Sequence, residues 1–141
     1  MRRYLNGEFY NRFTAEERGR ILETRVINSD NHWYGTTGGA DTTDRVFLLS
    51  IDEVVRYFGD SGQLWNRPND EWWIDDEYNQ ARVAYRLEDN EAWWWWLRSP
   101  GSNSYSAANV LSDGWLNVSG NSVHRSYYGG VRPAMWLNLQ S

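Results

Sequence analysis

Four tryptophans in succession at residues 93–96, followed by Leu97-Arg98-Ser99-Pro100-Gly101, constrain this chain more than any other feature. In an extended segment side chains alternate, so Trp93 and Trp95 would face one way and Trp94 and Trp96 the other. A strand that is large and apolar on both faces suits a central, buried place. Each buried indole contributes about 2–3 kcal/mol by area. The competing reading is an exposed platform on which a ligand stacks. Burial is the preferred expectation, with residues 93–96, Leu97, Val131 and Trp136 as a rigid base.

The rest of the composition sharpens the question, because ten Trp and nine Tyr stand beside only four Phe. Trp and Tyr combine a large apolar area with one polar handle. This many suggest a recognition surface as well as a core. A length of 141 residues fits a single domain, 1–141, able to bury roughly 65–70 % of its extended surface. The net charge of −5 comes without a basic block, which argues against tracking nucleic-acid phosphates. The absence of cysteine excludes a disulfide framework and thiolate metal sites. No apolar run matches a membrane span, so membrane insertion is not expected. The N-terminal stretch also lacks the apolar segment of a signal peptide.

Two helices announce themselves. Thr14-Ala15-Glu16-Glu17 is a capping box opening a helix to about Glu23, and Ser50-Ile51-Asp52-Glu53 is a second. The second helix carries Ile51, Val54, Val55 and Phe58 on one stripe and stops at Gly59. Val26-Ile27 and residues 46–49 are β-rich, and 28–44 is a polar loop. Residues 80–87 fit a short helix or a strand equally well. Further on, Asp113-Gly114 reads as a hairpin turn with positive φ at both positions. Gly120 and Gly129-Gly130 mark other turns, and 131–139 reads as a last strand, with Pro133 placing it at an edge, an end or a bulge. Helices first and small strands afterwards imply an α+β fold: two N-terminal helices and a small twisted antiparallel sheet with long irregular loops.

Residues 102–128 follow a different logic. Ala107, Ala108, Val110, Gly114, Leu116, Gly120 and Val123 could be scaffold, while the positions between are Ser, Asn, Tyr, His, Arg and one Trp. A Ser/Asn/Gly background punctuated by Tyr, Trp and Arg is the composition of a paratope. A set of solvated irregular loops would look the same, and composition alone does not separate the two.

The motifs Trp-Trp-Leu-Arg-Ser-Pro-Gly (95–101), Ala107-Ala108 with Val110, Asp113-Gly114, Gly120 with Val123, and Gly-Val-Arg-Pro-Ala within 130–138 resemble the C-terminal signature of a bacterial and phage domain-of-unknown-function family. Members of that family occur as variable proteins of diversity-generating retroelements. Residues 13–24 and 42–58 are also similar to it; 59–91 are least so. The resemblance implies a C-type-lectin-like fold with diversified residues on a ligand-binding face. In such systems a template is copied with errors at adenines, and Asn codons, being mostly adenine, yield Tyr, Ser, His, Asp, Leu, Arg or Gly. By that rule the variable contacts would be Asn103, Ser104, Tyr105, Ser106, Asn109, Leu111, Ser112, Asn117, Ser119, Asn121, Ser122, His124, Arg125, Ser126, Tyr127 and Tyr128. Trp115 joins them through another template codon, such as that of Lys. The implied function is ligand recognition, toward a protein or glycan on a cell or phage surface. The implied location is the phage particle or the bacterial cell surface.

Against this stands a fixed-specificity, lectin-like adhesin module in which Tyr105, Trp115, Tyr127 and Tyr128 stack on sugar rings. An enzyme is the weakest reading. Asp70, Glu71, Asp75, Asp76 and Glu77 flank Trp72-Trp73, but acidic clusters in irregular segments are mostly solvated. No phosphate loop, nucleophile elbow or metal-binding His pattern occurs. No cofactor is expected, apart from a structural calcium conceivable within 70–77. Arg98 and Arg132 could grip a carboxylate ligand. The preferred expectation is that they brace the fold by pairing with backbone carbonyls or buried acids.

Overall fold

The structure is a computed structural model and describes residues 1–124 and 128–140. The chain opens with helical turns that the sequence pattern did not announce: α1 (Arg2–Tyr4), a π segment (Leu5–Phe9) and a 3-10 turn (Tyr10–Arg12). Leu5 is buried beneath them. Asn6 clips them to the body, its amide donating to the Val46 carbonyl at 2.8 Å while its carbonyl accepts the Arg45 and Val46 amides at 2.8 and 3.0 Å.

Helices α2 (Ala15–Arg20) and α3 (Ile51–Phe58) begin where their capping boxes predict. In α2 the Glu17 amide donates to the Thr14 hydroxyl at 3.1 Å and the Thr14 amide to the Glu17 carboxylate at 2.6 Å. The Ser50–Glu53 pair repeats this at 3.1 and 2.9 Å. Two otherwise orphaned donors are satisfied at each helix start. α2 ends earlier than expected, at Arg20.

The molecule is α+β with small antiparallel sheets. β1 (Thr24–Val26) pairs with β2 (Thr42–Asp44), so the second strand forms from threonines rather than from the apolar run at 46–49. Val46 and Phe47 are buried all the same, and Phe47 bridges Ala134. The principal sheet has the order β3-β8-β7-β6, built from β3 (Trp73–Ile74), β6 (Trp95–Pro100), β7 (Ser106–Val110) and β8 (Leu116–Ser122). Residues 80–87 resolve as both alternatives, with α4 (Asn79–Arg82) followed by β4 (Ala84–Tyr85), which pairs with β5 (Ala92–Trp93).

The tryptophan run is not one buried strand. It breaks at Trp94, where the chain leaves the β4–β5 pair and enters the principal sheet. Only Trp95 is fully buried, whereas Trp93, Trp94 and Trp96 are half-buried. Within β6 the alternation places Trp95, Leu97 and Ser99 inward. β6 is also the last strand of its sheet rather than a central one. Its margin is closed by other means: the Gly130 amide donates to the Trp94 carbonyl at 2.8 Å, the Trp96 amide to Gly130 at 3.0 Å, and the Arg98 amide to Leu49 at 2.9 Å. Gly129 lies so close that any Cβ would run into the rings of Trp94 and Trp96. That close approach requires glycine.

Two more expectations are corrected. Asp113-Gly114 lies in a five-residue connection from β7 to β8 with positive φ at Gly114 alone, so it is not the two-residue primed turn. Residues 131–139 form no regular strand; Ala134 and Leu137 make single bridges to Phe47 and Ile21. Pro133 has no amide to offer a ladder. Val131 and Trp136 are partly exposed at 37 % and 48 % and so do not belong to the rigid base.

One row across the principal sheet forms the heart of the core. Trp95, Val110, Leu116 and Ile74 are successive cross-strand partners, each at most 1 % exposed. They pack with Ile51, Val54 and Val55 of α3. The Leu-Arg-Ser-Pro segment then fastens α3 in place. Ser99 accepts the Ile51 amide at 2.8 Å, and Arg98 pairs with Glu53 while donating to the Leu48 and Ile27 carbonyls at 2.7 and 2.8 Å and to Asn28 at 3.1 Å. Arg98 is therefore the brace that was expected. Arg132 works differently: its guanidinium lies 4.5 Å over the Trp95 ring and 5.7 Å from that of Phe58. Burial lowers its pKa below the ordinary arginine value, and its Nη1 has no hydrogen-bond partner among the described residues.

Candidate recognition surface

The row neighbouring the core row points the other way, and it defines the candidate site. Trp96, Asn109, Asn117 and Trp73 are cross-strand partners from β6 to β3, so two amides lie between two indoles on one face. The Asn109 and Asn117 side-chain amides both donate to the Asn121 side-chain oxygen Oδ1, at 2.7 and 3.2 Å. Asn117 in turn accepts from the Ser119 hydroxyl at 3.1 Å and the Gly120 amide at 3.0 Å. The result is a short amide network with adaptable donors and acceptors at its rim.

An aromatic corner stands at one end of this face. Trp115 stacks on Trp73 at 5.3 Å with 22° between the planes, and Trp72 meets Trp73 edge-on at 6.0 Å. The turn carrying Trp115 is held from below by Arg82, which is fully buried and donates to the Gly114 carbonyl at 2.7 Å, to Asp76 at 3.0 Å and to Asn79 at 2.7 Å. The Trp95 indole N–H completes the linkage by donating to the Arg82 carbonyl at 3.0 Å. At the far end of β7, Tyr105 is 65 % exposed with its ring 6.5 Å from that of His124. The five residues of β7 separate these two centres by about 16 Å.

The sequence-predicted contacts distribute as follows. Asn103, Ser104, Tyr105, Ser112, Asn121, His124 and Tyr128 are exposed, while Ser106, Leu111, Trp115, Asn117, Ser119 and Ser122 are half-buried. Asn109 departs from the expectation. It is 0 % exposed and serves as the inner end of the amide network, so it cannot itself be a contact in this conformation. Arg125, Ser126 and Tyr127 lie outside the described residues. Two aromatic members of the surface, Trp72 and Trp73, were not predicted; the available signal was the Trp-Trp doublet itself, just before Ile74, which pairs with Leu116.

The acidic stretch 70–77 has a structural use. Burial by itself would raise the Asp76 carboxyl, but hydrogen bonds from the Tyr78 amide, Arg82 and Ser61 outweigh it and hold the group below the ordinary carboxylate range. A carboxyl whose folded pKa is depressed adds stability above its unfolded pKa of about 4, and that stability is lost as pH falls through the folded value. The melting temperature should therefore drop more steeply below about pH 4 in the natural chain than in Asp76→Asn, which should already be less stable at pH 7. Parallel acid slopes would contradict this. Among the described residues no group of three or more His, Cys, Asp or Glu is gathered as a metal site.

The model of DUF6273, a domain of unknown function, matches residues 1–139. This chain belongs to the DUF6273 family. No curated protein and no solved structure matches it. In this DUF6273 chain the scaffold positions Ala108, Val110 and Leu116 are 0 % exposed, as is Val118, which the sequence pattern did not mark, whereas Val123, expected as scaffold, is 49 % exposed. They lie between the polar and aromatic positions just described.

Gly120 is a frame position of another kind. It takes φ of +72° at the irregularity between β7 and β8, and a Cβ there would collide with the Ala107 carbonyl. Gly120→Ala should cost about 2–3 kcal/mol through left-handed strain and that collision. Ser104→Tyr and Ser112→Asn, on exposed positions nearby, should stay within about 0.5 kcal/mol. Urea denaturation of the three variants tests the contrast.

Proposed function

We propose that this domain is a non-enzymatic ligand-recognition module of C-type-lectin-like fold, with residues 103–128 diversified by a retroelement to present changeable contacts. One observation carries the reading. Along 103–124 and at Tyr128, every sequence-predicted contact except Asn109 reaches the surface, whereas Ala108, Val110, Gly114, Leu116 and Val118 between them are buried; of the other expected scaffold positions Ala107 and Gly120 are half-buried and Val123 is exposed. Exchange at the first set changes what the surface touches; exchange at the second would unpack the core. Rigid aromatics with short polar neighbours suit binding to varied partners. The ligand is a protein or glycan on a cell or phage surface.

The deciding test is genetic. The locus should carry a near-identical repeat of the codons for 97–134, differing only opposite adenines, with a reverse transcriptase nearby. A locus with neither removes diversification from the proposal. The fixed-specificity lectin-like alternative draws on the aromatic corner, because Trp72 and Trp73 lie outside the segment and would not vary. Sugar binding that persists when the exposed positions of 103–128 are replaced but is lost in Trp72→Ala would favour that alternative.

Arg132 tests the division between frame and surface. Arg132→Ala should lower the melting temperature, by about 1–3 kcal/mol of stability, through loss of the stack on Trp95. Ligand affinity should change little. An unaltered melting temperature with binding abolished would make Arg132 a contact residue instead.

A further inference from the structure

A second cleft lies entirely outside residues 103–128. Its walls come from β1, the solvent side of α3, the loop ending at Trp65 and the C-terminal segment at Trp136, and its volume is about 660 Å³. That is within the range of pockets that take small ligands. Trp65 and Trp136 both line it and are 55 % and 48 % exposed. Both indoles are nevertheless held in place. The Trp65 ring N–H donates to Asp60 at 3.0 Å and the ring meets His32 edge-on at 4.7 Å, while the Trp136 ring meets Tyr57 edge-on at 6.2 Å. These contacts hold the rings while each indole stays about half exposed along the cleft, an arrangement suited to stacking.

The charged groups of the cleft identify the class of ligand. Of the charged residues lining it, Glu53 and Arg98 neutralise each other within the brace described above, which leaves Asp52 (2.9 Å from the His32 ring) and Asp60 with Arg25 and Arg56, a formal balance of zero. A cationic ligand would be drawn by the indoles and carboxylates but opposed by the two guanidiniums of Arg25 and Arg56, and an anion would meet the reverse. A neutral molecule rich in hydroxyls uses both signs at once. Carboxylates accept its O–H groups, guanidiniums donate to its oxygens, and its C–H faces lie on the electron-rich indole planes. We propose that this cleft binds a neutral saccharide, independently of whatever residues 103–128 recognise.

The test uses the whole chain and a panel of neutral oligosaccharides (cellotriose, mannotriose, N-acetylated chitotriose and lactose), with tetramethylammonium and citrate as charged probes. Binding is read by saturation-transfer NMR and tryptophan fluorescence. At least one neutral sugar should bind, with transfer to its ring C–H protons. Trp65→Ala should weaken it about tenfold or more. Arg56→Ala, on an exposed helix position, should weaken it by a smaller factor with the melting temperature unchanged; should Trp65→Ala fail to fold, Arg56→Ala decides. Replacing Tyr105 and Tyr128 with Ser should leave the affinity as it was. The proposal is overturned if no neutral sugar in the panel binds, if a charged probe occupies the cleft instead, or if sugar affinity ignores the cleft variants that fold. It is equally overturned if affinity follows Tyr105 and Tyr128, which would place the sugar on the other surface and leave the proposed ligand-recognition role standing.

Discussion

Trp95→Ala is expected to leave the chain unfolded, or nearly so, at 37 °C. The indole is the largest fully buried side chain and occupies one end of the row Trp95–Val110–Leu116–Ile74. Removing a core tryptophan costs about 3–5 kcal/mol in lost burial and cavity. Two further losses add to this. The Arg82 carbonyl loses its indole donor, and the Arg132 guanidinium loses the ring beneath it. Since a domain of this size has only about 5–15 kcal/mol in total, this single change consumes a large share. Loss of near-ultraviolet dichroism would register it. By contrast, Trp72→Ala, at a 61 % exposed position, should melt close to the natural chain. Equal melting of Trp95→Ala and the natural protein would mean that the core has been misplaced.

Arg98→Ala should rank second, at about 3–5 kcal/mol, the range for removing one partner of a largely buried ion pair. The side chain is only 14 % exposed. Its loss strands the Glu53 carboxylate and leaves the Leu48 and Ile27 carbonyls and the Asn28 amide oxygen without this donor. Three separate segments, the end of β1, the lead into α3 and β6, would then be joined by less. Arg98→Lys is the informative companion. An ammonium keeps the charge but cannot span four acceptors with a planar fork, so it should recover less than half of the lost stability in urea titrations. Full recovery by lysine would reduce the role of Arg98 to simple charge.

The capping boxes at Thr14 and Ser50 were legible because the signal is local: four residues contain both hydrogen bonds. The stripe Ile51, Val54 and Val55 was legible for the same reason, as helical period maps directly onto one face. The tryptophan run was readable only in part. Alternation predicts that neighbours face opposite ways, but the change of sheet at Trp94 depends on pairing with β4 and β7, and neither partner is encoded in the run. The same limit hid Asn109. Its residue type marks it as exchangeable, and only the register with Asn117 and Trp96 places it beneath the surface. Asn31 was hidden likewise. Read as part of a polar loop, it is 2 % exposed and donates to the Pro100 and Val118 carbonyls, each at 2.9 Å, across the fold. Of the candidate surface, the segment 103–128 was visible in its composition. Trp72 and Trp73 were not, nor was the separate Trp65–Trp136 cleft, because they come from stretches whose spacing along the chain carries no period.

The glycine pair against the tryptophan run has a consequence for solubility. A terminal strand with free amides invites a neighbouring molecule to extend the sheet. Here the amides of Trp96 and Arg98 are already taken by Gly130 and Leu49 of the same chain, and at the other limit β3 is only two residues long. Copies of this chain are therefore kept from zipping together through their backbones along that margin.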